Sequence, residues 1–220
     1  MSLYHNLSDP ELKEFEEAKA IFTELMDNLH SKDKLRKGIG RYEREKLAKM
    51  WALSRQIGIA LNKTMNIFDP EKLQKFEIAN REFNLTAQNL TDSLINQMIG
   101  FFLYNIEVVL KFSLLFFIKK DPPFRTKMTI GELIRAVEIE CPTIAPDFKE
   151  LIDVDIRNAL AHGSFWFERP NICFTRDLEF SSTTGIPFHE FWIRTKKQNI
   201  RAHALTEVLY EKINQNYFHE

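Results

Sequence analysis

Cysteine is almost missing from this chain: Cys141 and Cys173 are the only two among 220 residues. Two thiols cannot cage a metal alone and do not make a disulfide scaffold, so a reducing, cytoplasmic setting is the expectation. Glycine (7) and proline (8) are also scarce, which argues against an all-β sandwich built on many tight turns. No charge of one sign dominates, because 30 Lys and Arg stand against 31 Asp and Glu for a net charge of -1. That balance excludes a protein whose whole surface grips nucleic acid and leaves local basic patches open. The opening MSLYHNLSDP has no apolar stretch of the kind a secretory signal needs. What the chain does have is 44% apolar residues, enough for a real core, over a length that suits one domain or one domain with an extension.

Of the 19 phenylalanines, 12 fall in 101–124 and 165–192, and they predict bulky rings packed between helices. One run, Leu94 to Ile118, is long enough to span a bilayer, yet it carries Asn96, Gln97, Asn105, Glu107 and Lys111. Charges at mid-membrane cost roughly 2.5–3.5 kcal/mol each on insertion scales, so the run is expected to be the central buried helix of a bundle and not a membrane span. Glu107 and Lys111 stand four apart and can pair on one face, either as an internal ion pair or as the wall of a functional cleft.

Helix signals fill most of the remainder. Ser8-Asp9-Pro10-Glu11 caps a helix whose inner face is Leu12, Phe15, Ala18, Phe22, Leu25, Met26 and Leu29, ending near His30. A polar loop follows to Arg41, then a helix over about 42–61 with Leu47, Met50, Trp51, Ser54, Ile57 and Leu61 inward. Asp69-Pro70 opens a third helix, which breaks near Asn84 and continues as the long run to Lys119. Thr129 to Glu132 is a capping box for a helix ending at Glu140. Asp147 is expected to cap another, running from Phe148 to about His162 with Gly163 as its stop. Two short apolar runs around Arg169-Pro170 predict a β-hairpin, 178–185 a polar turn-rich stretch, and 188–216 a last helix. Residues 1–62 are expected to be an N-terminal helical extension on a core bundle spanning 63–220.

The segment Asp153 to Gly163 concentrates the groups that can do chemistry. At about 100° per residue, Asp155, Asn158 and His162 fall on one line beside an apolar stripe of Ile152, Ile156 and Ala159. Asn158 can then hydrogen-bond His162 and fix its ring. Arg157 lies roughly 140° from His162 on an ideal helix, so the two share one target only if the Arg157 side chain curls round or the helix distorts near Gly163, or if two-fold pairing of the helix gathers four such groups in one cleft. A plainer reading makes His162 a cap on its own helix and Arg157 a surface partner of Asp153. Secondary candidates for substrate contact are Asp155, Ser164, Trp166, Glu107 and Lys111. Trp166, with Phe165, could stack on a base or belong to the hairpin core. The basic runs 32–49 and Arg194, Lys196, Lys197, Arg201 could track an RNA backbone or be solvated faces. His189 and His203 are expected on helix surfaces.

Arg157-Asn158-Ala159-Leu160-Ala161-His162-Gly163 resembles the R-N-x-x-x-H motif of the HEPN family, all-α proteins that include metal-independent RNA endonucleases of toxin, phage-defence and RNA-processing systems. The context is similar as well: a long apolar helix with a few charges precedes the motif, and a hairpin and C-terminal helix follow it. The resemblance covers roughly 69–216 and implies an all-α, up-and-down helical bundle, with a small β-hairpin after the motif helix, dimerising through that helix. It implies that His162 is the acid/base group for attack by the RNA 2′-hydroxyl, that Arg157 holds the scissile phosphate, and that Asn158 orients His162 or the phosphate. It implies no metal and no cofactor, since the ribose supplies the nucleophile, and RNA and an antitoxin protein as partners. Some members carry Tyr two residues after the His, where this chain has Ser164. Other members bind nucleotide, RNA or protein without cleaving, and that is the alternative function.

Overall fold

Helix caps with local partners set the frame. The computed structural model describes residues 7–65, 87–168, 170–175 and 183–215. In α1 (Asp9–Ser31) the Glu11 carboxylate accepts from the Ser8 N–H at 3.0 Å and from its hydroxyl at 2.8 Å. The predicted face is buried from Phe15 to Leu29, while Leu12, one turn earlier, is exposed. The loop to α2 (Arg41–Met65) is less polar than expected. Leu35 and Ile39 are buried, and Leu35 forms a β-bridge with Ile118, so the loop is pinned by backbone pairing and apolar anchors.

The long apolar helix is present as α3 (Ala87–Leu103), a π-helical segment (Tyr104–Phe112) and α4 (Ser113–Phe117), in unbroken succession. It stops at Phe117 and not Lys119, because Ile118 turns extended to pair with Leu35. The π-helical stretch was not foreseen. It holds Asn105, fully buried, which accepts from Ser54 Oγ of α2 at 2.7 Å and donates to the Phe101 carbonyl at 2.9 Å. Thr91–Phe117 is long and apolar enough to cross a membrane, yet 56% of its most apolar window is buried against other elements of the fold. The helix expected from Asp69-Pro70 and its break near Asn84 lie outside the described residues.

In α5 (Ile130–Glu140) the Glu132 N–H donates to Thr129 Oγ1 at 3.2 Å and the Thr129 N–H to Glu132 Oε2 at 2.8 Å, closing the predicted box. The single helix expected over 148–162 is instead two, α6 (Ala145–Glu150) and α7 (Val154–Ala161). Asp147 sits inside α6. Asp153 is the cap, its Oδ1 accepting from the Ile156 N–H at 3.4 Å, and buried Leu151 and Ile152 dock the corner between the two helices. Gly163 ends α7 with φ +69°, a backbone state that glycine adopts without strain.

The hairpin is β1 (Phe165–Glu168) against β2 (Asn171–Thr175), with Phe165 opposite Phe174. A third strand, β3 (Thr183–Pro187), joins β2 antiparallel, so part of the stretch expected as turn is sheet. Its Ile186 is buried opposite Ile172, which gives the strand an inner face. Then α8 (Phe188–Asn214) runs back through the molecule. Four ionic rungs tie it to α1: Glu11 to Lys196 at 2.5 Å, Glu14 to Lys197 and Arg201 at 3.4 and 2.6 Å, Lys19 to Glu207 and Glu211 at 3.2 and 2.8 Å, and Asp27 to Lys212 at 2.5 Å. The numbers ascend together, so the first and last helices run parallel. The architecture is thus mostly helical with one small three-stranded antiparallel sheet. The residues before 62, expected as an extension, contribute Phe15, Phe22, Leu25 and Leu47 to the same core as Phe102, Phe148 and Leu205.

Candidate functional site

Packing of α7 against the long helix decides where the motif side chains go. Ile156, Ala159 and Leu160 are buried, and this turns Arg157 towards the π-helical segment. There its guanidinium makes a two-pronged pair with one oxygen of Glu107, through Nε and a terminal nitrogen, while the other Glu107 oxygen takes Lys111 Nζ. The Arg157 side chain is only 13% exposed. Its remaining nitrogen donates to Asn158 Oδ1 at 2.8 Å. Asn158 therefore orients Arg157, and the bond expected from Asn158 to the His162 ring is not made. The plain alternative for Arg157 is also displaced, since Asp153 pairs with Arg194 of α8 at 3.1 Å.

His162 follows the last turn of α7 and is exposed, its ring having no hydrogen-bond partner among the described residues. Its backbone N–H donates to the Asn158 carbonyl at 3.0 Å. Asp155 is exposed on the same helix. The Ser164 N–H donates to the Ala159 carbonyl at 2.8 Å, which fastens the motif to the sheet. Phe165 and Phe167 pack on the core, whereas Trp166, by strand alternation, projects from the other face and is half-buried. Phe165 and Trp166 are thus not one aromatic unit.

Arg157, Glu107 and Lys111 form one wall of an open cleft of about 730 Å³. It is also lined by Lys120 and Lys127 of the loop before α5, by Glu132 in the first turn of α5, and by Arg36. Its apolar lining includes Leu115, Phe116 and Met128. Five cations meet two carboxylates there. Phe112 is half exposed at 51%, and the Arg36 guanidinium lies 4.7 Å over the Phe116 ring. Desolvation and the neighbouring charge of Arg36 push the Lys120 ammonium below its ordinary pKa. His162 is not among the residues lining this cleft, so one chain brings Arg157, Asn158, Glu107 and Lys111 together and leaves His162 apart.

The charge runs sort themselves by partner. Arg194, Lys196, Lys197 and Arg201 are all taken by carboxylates, with Glu14 receiving the last two at 3.4 and 2.6 Å. In the 32–49 run, Lys34 pairs with Glu140, Arg36 with Glu43 and Arg41 with Glu45. His203 is half-buried on α8, contrary to its expected surface place, between the fully buried Ala202 and Ala204. Desolvation, with the charge of Arg55 second, lowers its pKa to about 4. Sequence reasoning missed Arg36, Lys120, Lys127 and Phe112 as neighbours of the motif. The one signal was the basic stretch after the long helix, Lys119-Lys120 through Lys127, which has no motif spacing.

Comparison of the chain with models of known protein families, with curated proteins and with solved structures finds no match. The likeness to the HEPN family therefore rests on residues 157–163 and their helical context.

Proposed function

We propose that this protein binds RNA and cleaves it without a metal, two copies pairing through α7 so that Arg157 of one and His162 of either face a shared groove. The observation that carries this reading is the placement of Arg157, which is held by Glu107 and Asn158 at the wall of a cation-rich cleft in the most motif-like part of the chain. A guanidinium so held can meet a phosphate without first being ordered. In the step itself the 2′-oxygen bonds to phosphorus, the bond from phosphorus to the 5′-oxygen breaks, and the 2′-proton passes to one imidazole. The leaving 5′-oxygen takes a proton from the second imidazole or from water. Arg157 offsets the charge that grows on the non-bridging oxygens. A cytoplasmic defence or toxin setting, with an antitoxin protein as partner, is carried by the family resemblance alone.

A binding module without cleavage is the second reading. It is favoured by the exposed His162, whose ring nothing described holds in one orientation. Structured RNA incubated with the protein in EDTA separates the two. Cleavage to 2′,3′-cyclic phosphate and 5′-hydroxyl ends, abolished in both His162→Ala and Arg157→Ala, is the expected result. Binding with no cleavage leaves the second reading, and cleavage that persists in both variants removes the first.

A further inference from the structure

Every lysine and arginine of α8 meets a carboxylate, whereas most of those on α2 do not. The helix carries six cations, Arg41, Arg44, Lys46, Lys49, Arg55 and Lys63, against Glu43 and Glu45. Both carboxylates are taken, Glu43 by Arg36 at 2.9 Å and Glu45 by Arg41 at 2.9 Å. Lys46, Lys49, Arg55 and Lys63 are exposed and have no carboxylate partner among the described residues. The helix turns Leu47, Ser54, Gly58 and Leu61 inward at helical spacing. The opposite stripe runs from Tyr42 through Lys49, Leu53, Gln56 and Ile59 to Lys63. Tyr42, Leu53 and Ile59 are 68%, 46% and 47% exposed, with Ala52 and Ala60 filling the stripe between cations. Lys49 stands one turn before Leu53, and Lys63 one turn after Ile59, so aliphatic groups hold the centre and ammonium groups both ends.

An RNA backbone would use these cations but offers Leu53 and Ile59 nothing, because its phosphates and sugars are polar. A second copy of α2 fits worse. Parallel pairing sets Lys49 against Lys49, and antiparallel pairing about Gln56 sets Lys49 against Lys63, like charges in either case. A layer of anionic headgroups over acyl chains answers both halves of the pattern. The ammonium groups sit at phosphate level, the aliphatic side chains just beneath, and the Tyr42 ring at the boundary. We propose that α2 docks this protein on an anionic lipid bilayer, lying in the plane of the headgroups. Two aliphatic side chains and four cations make the attachment reversible, and the charges bar the helix from crossing. The attachment does not involve the apolar run 94–118, which packs inside the fold. It is also separate from the proposed cleavage, since no residue of α2 lines the cleft beside Arg157.

The test is co-sedimentation of the intact protein with vesicles of phosphatidylcholine alone and of phosphatidylcholine mixed with phosphatidylserine. The mixed vesicles are expected to bind it about tenfold more strongly or better, and less so as salt is raised. Leu53→Gln with Ile59→Gln, and separately Lys49→Glu with Lys63→Glu, are each expected to weaken that binding about tenfold. Ile139→Gln, at an exposed aliphatic position of α5, is the control and is expected to change nothing. All five positions are exposed, so the variants are expected to fold, and thermal melts check this. Equal binding to both kinds of vesicle, or binding to neither, overturns the proposal. So does a charge-pair loss that the Leu53 and Ile59 pair does not share; displacement by RNA would then make α2 a nucleic-acid face. A loss in Ile139→Gln as large as in the aliphatic pair would mean adhesion without a site. No arm reads cleavage, so the lipid proposal and the nuclease reading fail independently.

Discussion

Glu107 is a single carboxylate answering two cations in a half-buried place, and its loss is felt by both. Glu107→Gln keeps the shape and removes the charge, leaving Arg157 and Lys111 facing each other. We expect it to lower stability by about 2 kcal/mol in urea unfolding, because breaking a partly buried pair strands the remaining charge. His203 gives a residue-scale prediction in pH. Its pKa is about 4 in the folded chain and near 6.5 when unfolded, so the unfolded state binds more protons between those values. Its contribution is complete above pH 6.5 and declines as pH falls towards 4, by up to about 1.4 kcal/mol per pH unit. His203→Gln should flatten that part of the stability profile, read from denaturant midpoints at pH 7, 6 and 5. At this scale the sequence was legible in residue type but not in pairing. Arg157 meets a carboxylate 50 positions away, and no local spacing reveals such a partner. Asn158 sits where it could reach His162, and the nearer guanidinium of Arg157 takes its oxygen instead.

Among the elements, α7 matters most because it carries the motif in only eight residues. A helix that short depends on its ends. Asp153 both caps α7 and ties it to Arg194, so Asp153→Ala should cost about 1–2 kcal/mol and speed amide hydrogen exchange over Val154–Ala161 beyond that of α5. At the other end, Gly163→Ala is expected to cost about 1 kcal/mol, since alanine does not easily adopt φ +69°. Caps whose partner lies three residues away, at Ser8 and Thr129, could be read directly from the chain. The cap of α7 also acts three residues on, at Ile156, but the sequence pattern opens that helix at Asp147 and runs it through Asp153. Docking of Leu151 and Ile152 into the core bends the chain between them and selects the second. For the same reason β3 was illegible: Thr183–Pro187 has weak alternation of its own and becomes a strand by pairing with β2.

At the scale of the molecule, the parallel packing of α1 on α8 joins the two ends of the chain. Phe22, fully buried and edge-on to Phe148 at 6.4 Å, sits where this pair meets α6. Phe22→Ala should lower stability by about 3–5 kcal/mol, the usual cost of truncating a buried ring. Deleting residues 1–31 strips the inner face of α8 and should abolish cooperative unfolding, which a thermal melt followed by circular dichroism would show. A truncated chain that still melted sharply would mean that α1 is an accessory and not part of the core. The apolar run 94–118 was legible as a buried helix from its own polar interruptions, because a lipid-facing helix has no use for Asn105 at its centre. What those interruptions hold, the bonds of Asn105 to Ser54 and Asn199, depends on two other helices that composition does not reveal.

The widened turns of Tyr104–Phe112 amount to surplus length spooled into a continuous rod. Excising one residue there would let a widened turn tighten to ordinary pitch while Met98 and Phe102 before it and Leu114 and Phe117 after it keep their seats. What would change is the arc between them, so Glu107 and Lys111 owe their aim to a length that looks redundant.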